Sequence, residues 1–450
     1  MKIALIEPHP PFNTYFFLKK LPLLGNLFLG AILKAAGHEV KVFKEDLTPV
    51  YRKKDGWLHP FVREADAVGI TAITHTANRA YSIADAIRAC FPGKPIFMGG
   101  NHPSALPEEA LLHADQVVTG EGENVVREVF EGRRREPIVV GSRVDIDNVP
   151  IVDLSLLEGY RHHNGRIAPA PLMASRGCPH SCVFCSVTSM FGRDYRIRNA
   201  DLVLEEVLRR HREGFRWGFF YDDNFAAVPA KTKAFLEKLI LANIDFSWGG
   251  QFTVRAAQDR ELLRLLKRAG CTTMFIGVES INADALREYG KSQTVQLIRE
   301  STEAIVAEGL RVHSMFVLGA DSDDEKSIDK TILFSRESRS STAQFSILFP
   351  IPGTELYRKM REQKRIFVDN WDYFDGSHAV FLTHRISPYR LQQKLLQAYM
   401  HFYSRKPLYW LASRVGFLLW KSWNHGYLRF LKRLSRDANM KPSMKSFTPA

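Results

Sequence analysis

Ser175-Arg-Gly-Cys-Pro-His-Ser-Cys-Val-Phe-Cys-Ser186 places three cysteines, Cys178, Cys182 and Cys185, four and then three residues apart. Gly177 and Pro179 bend the backbone around the first of them. Such a loop can fold three thiolates onto one small centre, and thiolate is the ligand that iron–sulfur clusters select. Three ligands are one short of a closed tetrahedral site, so a four-iron cluster held this way keeps one iron open to something that is not protein. A structural zinc normally recruits four ligands, usually as two separated pairs, and would need His180 or a distant residue as the fourth. Disulfides fit poorly, because the two other cysteines, Cys90 and Cys271, are isolated in apolar contexts and the chain reads as having no secretory signal. Both read as small buried hydrophobes.

Downstream of this loop, helical and apolar stretches alternate. Asp201 to Glu213 leads into Phe215-Arg-Trp-Gly-Phe-Phe-Tyr-Asp-Asp-Asn224, Lys231–Ala242 into Phe246–Arg255, and Arg260–Ala269 into Met274–Ser280. Gln293–Glu308 leads into Val312–Gly319, and a last unit ends in Gln344–Glu355. This rhythm predicts a parallel sheet with covering helices. In such sheets the chemistry gathers at the carboxyl ends of the strands, where the polar residues of these runs fall.

CxxxCxxC with an aromatic residue, Phe184, just before the third cysteine resembles the signature of the radical S-adenosylmethionine (SAM) superfamily. The resemblance implies a partial β/α barrel and a [4Fe–4S] cluster on Cys178, Cys182 and Cys185. It also implies SAM on the open iron, cleaved by one electron to a 5′-deoxyadenosyl radical. It further implies cofactor contacts at the strand ends. Asp222, Asp223 and Asn224 would meet the methionyl amine, since an ammonium needs carboxylates. Gln251 and Arg255, read as lying on the third strand, would reach the carboxylate and ribose, and Glu279 and Ser280 the ribose or methionyl group. Gly319 with Glu325 would line the adenine, and the turn at Pro350 would meet it through backbone atoms. Each of these is a weak signal alone, because a glycine or carboxylate at a strand end is often only a turn or a helix cap. Their order and spacing together carry the resemblance.

The first 130 residues read as a different unit. Lys2–Ile6, His38–Phe43, Ala67–Thr71, Pro95–Gly100 and Gln116–Gly120 are short strand patterns with helical stretches between most of them, Gly25–Gly37 the clearest. This is the pattern of a doubly wound, flavodoxin-like (Rossmann-type) α/β sheet. Gly99-Gly-Asn-His-Pro103, Leu106-Pro-Glu-Glu109 and Gly120-Glu-Gly-Glu123 resemble the cobalamin-binding domain that precedes the barrel in one large branch of the superfamily. Like that branch, the chain lacks a DxHxxG motif, so cobalt would sit without a histidine from such a motif. The corrinoid-facing loops would be Pro8–Thr14, Thr71–Asn78 and Gly99–Ser104, with Thr71, Gly100 and Glu121 among the contacts. His75 and His102 are either cobalt ligands or, as loop histidines more often are, hydrogen-bonding groups.

The expected organisation is a cobalamin-binding-like domain over 1–132, a linker over 133–171, a radical SAM partial barrel over 172–385 and a helical C-terminal extension over 386–450. The chain has 450 residues, 45% of them hydrophobic, enough for two cores with appendages. Five cysteines and an oxygen-labile site suggest a reducing cytoplasm. The net charge is +13, and residues 401–450 hold ten Lys or Arg against one acid, Asp437. In Tyr427–Arg436, apolar residues 427, 430, 431 and 434 share one helical face and basic residues the other. That pattern suits either a peripheral contact with anionic membrane through 401–436, with Trp420, Trp423 and Phe430 inserted, or an ordinary helical cap. No stretch spans a bilayer; Leu408–Trp420 is too short and carries Arg414. Nucleic acid is disfavoured, because no strand-rich RNA-binding segment follows Glu355.

The resemblance implies a cobalamin-dependent methyltransferase acting on an unactivated carbon. The tail suggests an apolar substrate such as an isoprenoid lipid, hopanoid or tetrapyrrole, and an electron donor such as flavodoxin or ferredoxin is expected. Radical oxidation or ring closure without methyl transfer is the alternative. A non-catalytic corrinoid- or metal-binding protein is a third reading.

Overall fold

The computed structural model describes residues 1–11, 22–160, 169–404, 414–416, 418, 420–422 and 424–435. The chain forms two compact units, one of residues 1–177 with 186–218 and the other of 178–185 with 219–450.

In the first unit, β1 (Lys2–Glu7), β2 (Glu39–Lys44), β3 (Ala67–Thr71), β4 (Ile96–Gly99), β5 (Gln116–Thr119) and β6 (Ile138–Val140) form one sheet in the order β2-β1-β3-β4-β5-β6. Every pairing is parallel. Ile3 to Ile6 are at most 2% exposed, the near-continuous apolar run expected of a strand covered on both faces. The order reverses between β1 and β3, the switch point at which doubly wound sheets open a crevice. Ile138–Val140 falls in the stretch read from sequence as linker, yet it adds a sixth strand to this sheet. Three residues are too few for a periodic signal.

In the second unit, β7 (Trp217–Phe220) enters from the first, and β8 (Ser247–Phe252), β9 (Cys271–Glu279), β10 (Arg311–Leu318) and β11 (Thr342–Ile347) follow in the order β7-β8-β9-β10-β11. The pairings from β8 to β11 are parallel. Met274, Ile276, Val312, Phe316 and Ala343 are at most 2% exposed. The alternate residues form the opposite, half-exposed face. Strand β8 stops at Phe252, so Arg255 lies in the 3-10 turn Val254–Gln258 rather than on the strand.

The open edge at β11 is closed by side chains. Tyr399 and Tyr403, four residues apart on the helix Pro388–Tyr403, present their hydroxyls to the strand's unpaired backbone. Tyr399 Oη donates to Phe345 O (2.9 Å) and accepts from its N–H (3.1 Å); Tyr403 Oη does the same at Ala343 (2.8 and 3.1 Å). An exposed edge of this kind invites pairing with another chain. Tyr399→Phe and Tyr403→Phe, each leaving an N–H and a C=O without a partner, should each cost about 1–3 kcal/mol. Calorimetric melting checks this, and an unshifted transition in the double variant would contradict it.

The helix His425–Leu434 turns its apolar face inward. Tyr427 is 1% and Leu431 0% exposed, Tyr427 stacks on Tyr373 at 4.7 Å, and Phe430 packs on Phe367 at 6.1 Å. Tyr427 and Leu431 thus cover the core as a helical cap would, with Phe430 half-exposed beside them and the basic side outside. Trp423 lies outside the described residues. No helix among the described residues is long and apolar enough to cross a membrane. Of the two isolated cysteines, Cys271 is buried but Cys90, at the last residue of the helix Ala77–Cys90, is exposed, which corrects its reading as a buried hydrophobe.

Candidate cofactor sites

The cysteine loop is clasped by the segment that follows the helix Ala283–Glu288. Val183 N donates to Tyr289 O (3.2 Å) and Val183 O accepts from Leu356 N (3.0 Å). The Phe184 ring stands edge-on to Tyr289 at 5.3 Å. Burial pushes the Cys178 and Cys182 thiols up, opposed by the Lys291 ammonium, which also hydrogen-bonds Cys182. No three His, Cys, Asp or Glu residues among the described ones converge on a single ion. Cluster ligands stand farther apart than that, because each sulfur binds a different iron.

Lys291 was not picked out from sequence. Its Nζ lies 2.9 Å from Glu279 Oε1, and the two side chains are 19% and 9% exposed. Burial alone would lower the lysine's pKa; Glu279, followed by Cys182, outweighs it and holds the ammonium above its ordinary value. Glu279 has φ 60°, a left-handed conformation, and follows a register shift between Gly277 and Glu279. A non-glycine residue held this way at a strand end stores strain, which collects at functional sites. Gly277 makes the arrangement possible, since a Cβ there would lie 2.5 Å from Glu279 Oε1 and 3.4 Å from Lys291 Nζ. Gln293 Nε2 donates to Val278 O (2.8 Å), and Arg255 Nη2 donates to Ser292 O (2.6 Å), tying this segment to β9 and to the turn after β8.

The other carboxyl ends carry most of the residues expected there. Asp222 is 1% and Asn224 2% exposed, with Asp223 half-buried between them. Phe225 N donates to Gln251 O (2.9 Å), which fixes this loop to the end of β8. Asn224 Oδ1 is buried without a hydrogen-bond partner among the described residues, the kind of orphaned acceptor a bound donor would satisfy. Ser280 Oγ accepts from Asn282 N (3.0 Å), and Pro350 is buried. Glu325 is elsewhere: it opens the helix Glu325–Glu337 and pairs with Arg390 and Lys394. The carboxylate at the Gly319 turn is Asp323, 1% exposed, which accepts from Gly319 N (3.1 Å), Ala320 N (3.2 Å) and Asn282 Nδ2 (3.0 Å).

Below these ends, the half-exposed face of the sheet is aromatic. Phe219 meets Phe275 at 5.2 Å and Tyr221 at 5.6 Å, both edge-on, and Phe275 lies 4.6 Å from His313. Phe275 pairs in register with Gln251 and His313, and Met315 with Gly277 and Gln344. His313 Nδ1 is 2.8 Å from Thr342 Oγ1. Burial lowers its pKa to about 4, so the ring is neutral at pH 7.

In the first unit, Thr71, Gly100 and His102 come together at the ends of β3 and β4. Gly100 has φ +95°, and a Cβ there would lie 2.6 Å from Thr71 Oγ1 and 2.8 Å from Ala72 O. Only glycine lets the backbone pass so close. His102 N donates to Ala72 O (3.1 Å); its ring is fully buried, with Nε2 3.3 Å from Glu109 Oε1, an arrangement that fits hydrogen bonding rather than metal ligation. His75 lies in the 3-10 turn Thr74–Thr76. Glu121 instead locks its own unit together, accepting from Arg176, Arg196 and Val144 N, and the hydrogen bond from Arg196 and the charge of Arg176 hold its carboxyl below the usual range against burial.

Residues 172–334 match the family model of the radical SAM superfamily, and residues 18–130 match that of the B12 binding domain. The chain is 31% identical over 374 residues to bacteriochlorophyllide d C-12(1)-methyltransferase of Chlorobaculum tepidum, covering 79% of this chain and 80% of the relative. It is 26% identical to hopanoid C-3 methylase of Methylococcus capsulatus, over 92% of this chain and 82% of that one. Among solved structures, the cobalamin-dependent SAM radical enzyme OxsB superposes with a TM-score of 0.69 and 14% identity, covering 98% of this chain and 73% of the other.

Proposed function

Because this chain belongs to the radical SAM superfamily, in the branch that carries a B12-binding domain, we propose that it is a methyltransferase acting on an unactivated carbon of an apolar substrate. The observation that carries this reading is the 31% identity to a bacteriochlorophyllide methyltransferase over 79% of the chain, in a protein that has both cofactor domains. When bound, the [4Fe–4S] cluster with SAM supplies a hydrogen-abstracting radical, and cobalamin supplies the methyl group.

The chain's own residues would act as follows. Cys178, Cys182 and Cys185 hold the cluster and leave one coordination position open. Asp222, Asp223 and the unsatisfied Asn224 Oδ1 accept from the methionyl ammonium. Lys291, already charged and fixed by Glu279, meets the methionyl carboxylate, and Arg255 and Gln251 flank it. The Gly319 turn, drawn in by Asp323, and Pro350 bound the adenine. Phe219, Tyr221, Phe275 and Met315 offer a half-exposed, apolar and aromatic surface that suits a tetrapyrrole or polycyclic isoprenoid. Thr71 and Gly100 supply the close backbone approach that a corrin ring needs. A small redox protein delivers the electron.

The cobalamin part of this reading has a direct test. Dialysis of the anaerobically purified protein against hydroxocobalamin should leave about one equivalent bound in the base-off form. Gly100→Val should lose at least tenfold in affinity, with the melting transition as a control for folding. A wild-type protein that retains no cobalamin would end the methyl-transfer reading while leaving the radical chemistry standing.

A further inference from the structure

We propose that His9, in the loop after β1, is the protein's axial ligand to the cobalt of the bound corrinoid, and that Glu45 is the positioning residue behind it. This rests on the cobalamin reading of the first unit. A corrin ring supplies four equatorial nitrogens, so the protein need add only one axial donor, and the chain has no DxHxxG motif to provide it.

The His9 ring is held as a ligand is held. Its Nδ1 lies 2.9 Å from Glu45 Oε2, and its backbone N–H donates to the same oxygen (3.3 Å). A carboxylate only accepts, so Nδ1 carries the proton. In the neutral ring the lone pair is then on Nε2, which points away from Glu45. The Glu45 side chain is 1% exposed and that of His9 43%, so Nε2 is directed toward the open side, where it has no hydrogen-bond partner among the described residues. A carboxylate behind a histidine fixes its tautomer and orientation and makes the imidazole a better donor to a metal.

Glu45 is built for that part. Burial alone would raise its pKa; hydrogen bonds from His9 and Arg79 outweigh this and hold it at about 2, so the group stays an acceptor at any working pH. Its charge is met by Arg79, whose Nε and Nη2 donate to it at 2.8 and 2.6 Å. Arg79 Nη2 also donates to Tyr51 O (2.6 Å). His9 follows β1, Glu45 follows β2, and Arg79 stands in the first turn of the helix Ala77–Cys90 that comes after β3. One network therefore joins three successive loops at the carboxyl edge of the sheet.

Thr71 and Gly100, where the backbone leaves room for a corrin, lie on the same edge, at the end of β3 and just past β4. Neighbouring strands are about 4.8 Å apart, so the ends of β1 and β4 stand roughly 10 Å from each other, and one corrin ring covers both. The His102 ring is fully buried against Glu109 and cannot reach the metal. An axial imidazole donates to cobalt and favours its higher oxidation states, so His9 sets how readily the cobalt is reduced.

The test is electron paramagnetic resonance of the full chain loaded with cob(II)alamin. Spin density on an axial nitrogen splits each cobalt line three ways for ¹⁴N and two ways for ¹⁵N. Unlabelled protein should show three-way splitting, and protein made with ¹⁵N-histidine two-way splitting. His9→Ala should lose the splitting while still retaining cobalamin, and ordinary imidazole added to the labelled variant should bring in a three-way pattern. His75→Ala should keep the wild-type pattern. Glu45→Gln, a weaker acceptor, should show splitting on only part of the cobalt, and a full pattern there would overturn the part given to Glu45. Three-way splitting in the labelled wild type would assign the position to the corrinoid's own base and overturn the proposal. Two-way splitting that survives His9→Ala, or a wild type with cobalamin bound and no splitting, would overturn it too while leaving the cobalamin reading intact. A wild type that retains no cobalamin would overturn both.

Discussion

Replacing any one of Cys178, Cys182 and Cys185 by alanine is expected to reduce the iron bound after anaerobic reconstitution from about four per chain to near zero and to abolish deoxyadenosine formation. The loop offers no substitute thiolate: Cys271 is buried in β9 and Cys90 sits at the end of a helix in the other unit. Loss of one thiolate therefore leaves two, too few to hold the cube. The fold should survive, because the loop is anchored by backbone hydrogen bonds of Val183 to Tyr289 and Leu356 rather than by its thiols. Iron and sulfide assays with far-UV circular dichroism check both halves. A variant that keeps its full iron would remove the loop from the cluster.

The second large effect is expected at Lys291. Lys291→Met removes a charged donor from the proposed methionyl site, which should weaken SAM binding by roughly 10- to 100-fold, since a hydrogen bond to a charged group is worth about 1.5–3 kcal/mol. The same change also strands Glu279, only 7% exposed, and an unpaired buried carboxylate costs about 3–5 kcal/mol of stability. Lys291→Met combined with Glu279→Gln separates the two contributions. The double variant should recover most of the melting temperature but none of the SAM affinity, measured by calorimetric titration. Recovery of both would make Lys291 a prop for Glu279 and nothing more.

The contrast between Lys291 and Cys178 shows which parts of this site a sequence can display. Three cysteines at fixed spacing announce a metal because nothing else explains their rarity and pattern. A lysine in a polar loop announces nothing; it acquires meaning only when the turn at Tyr289 carries it back against the cysteine loop and Glu279. The strand-end runs Tyr221–Asn224 and Gly277–Ser280 were legible because parallel strands bury continuous apolar stretches and expose their carboxyl ends. Glu325 misled for a local reason: it sits one residue after the N-cap Asp324, so its carboxylate serves the helix and Arg390, while Asp323, two residues earlier, turns inward. The C-terminal helix was legible only as an amphipathic pattern: such a pattern states that a face is covered without stating by what, and Tyr373 and Phe367 pack on it here. Strand β6 and the two tyrosine hydroxyls that seal β11 carry no sequence signal at all, since each depends on a partner distant along the chain.

The claim at the centre of this account is that one chain uses both of its cofactor domains to move a methyl group, and it can be tested without knowing the substrate. The reconstituted protein, loaded with cobalamin and a low-potential reductant, would be incubated with SAM carrying a trideuterated methyl group. The protein-bound cobalamin would then be released in the dark and weighed by mass spectrometry. The account predicts cobalamin carrying the labelled methyl, with S-adenosylhomocysteine released in equal amount and deoxyadenosine formed alongside. Deoxyadenosine accumulating while the bound cobalamin stays unlabelled would contradict it.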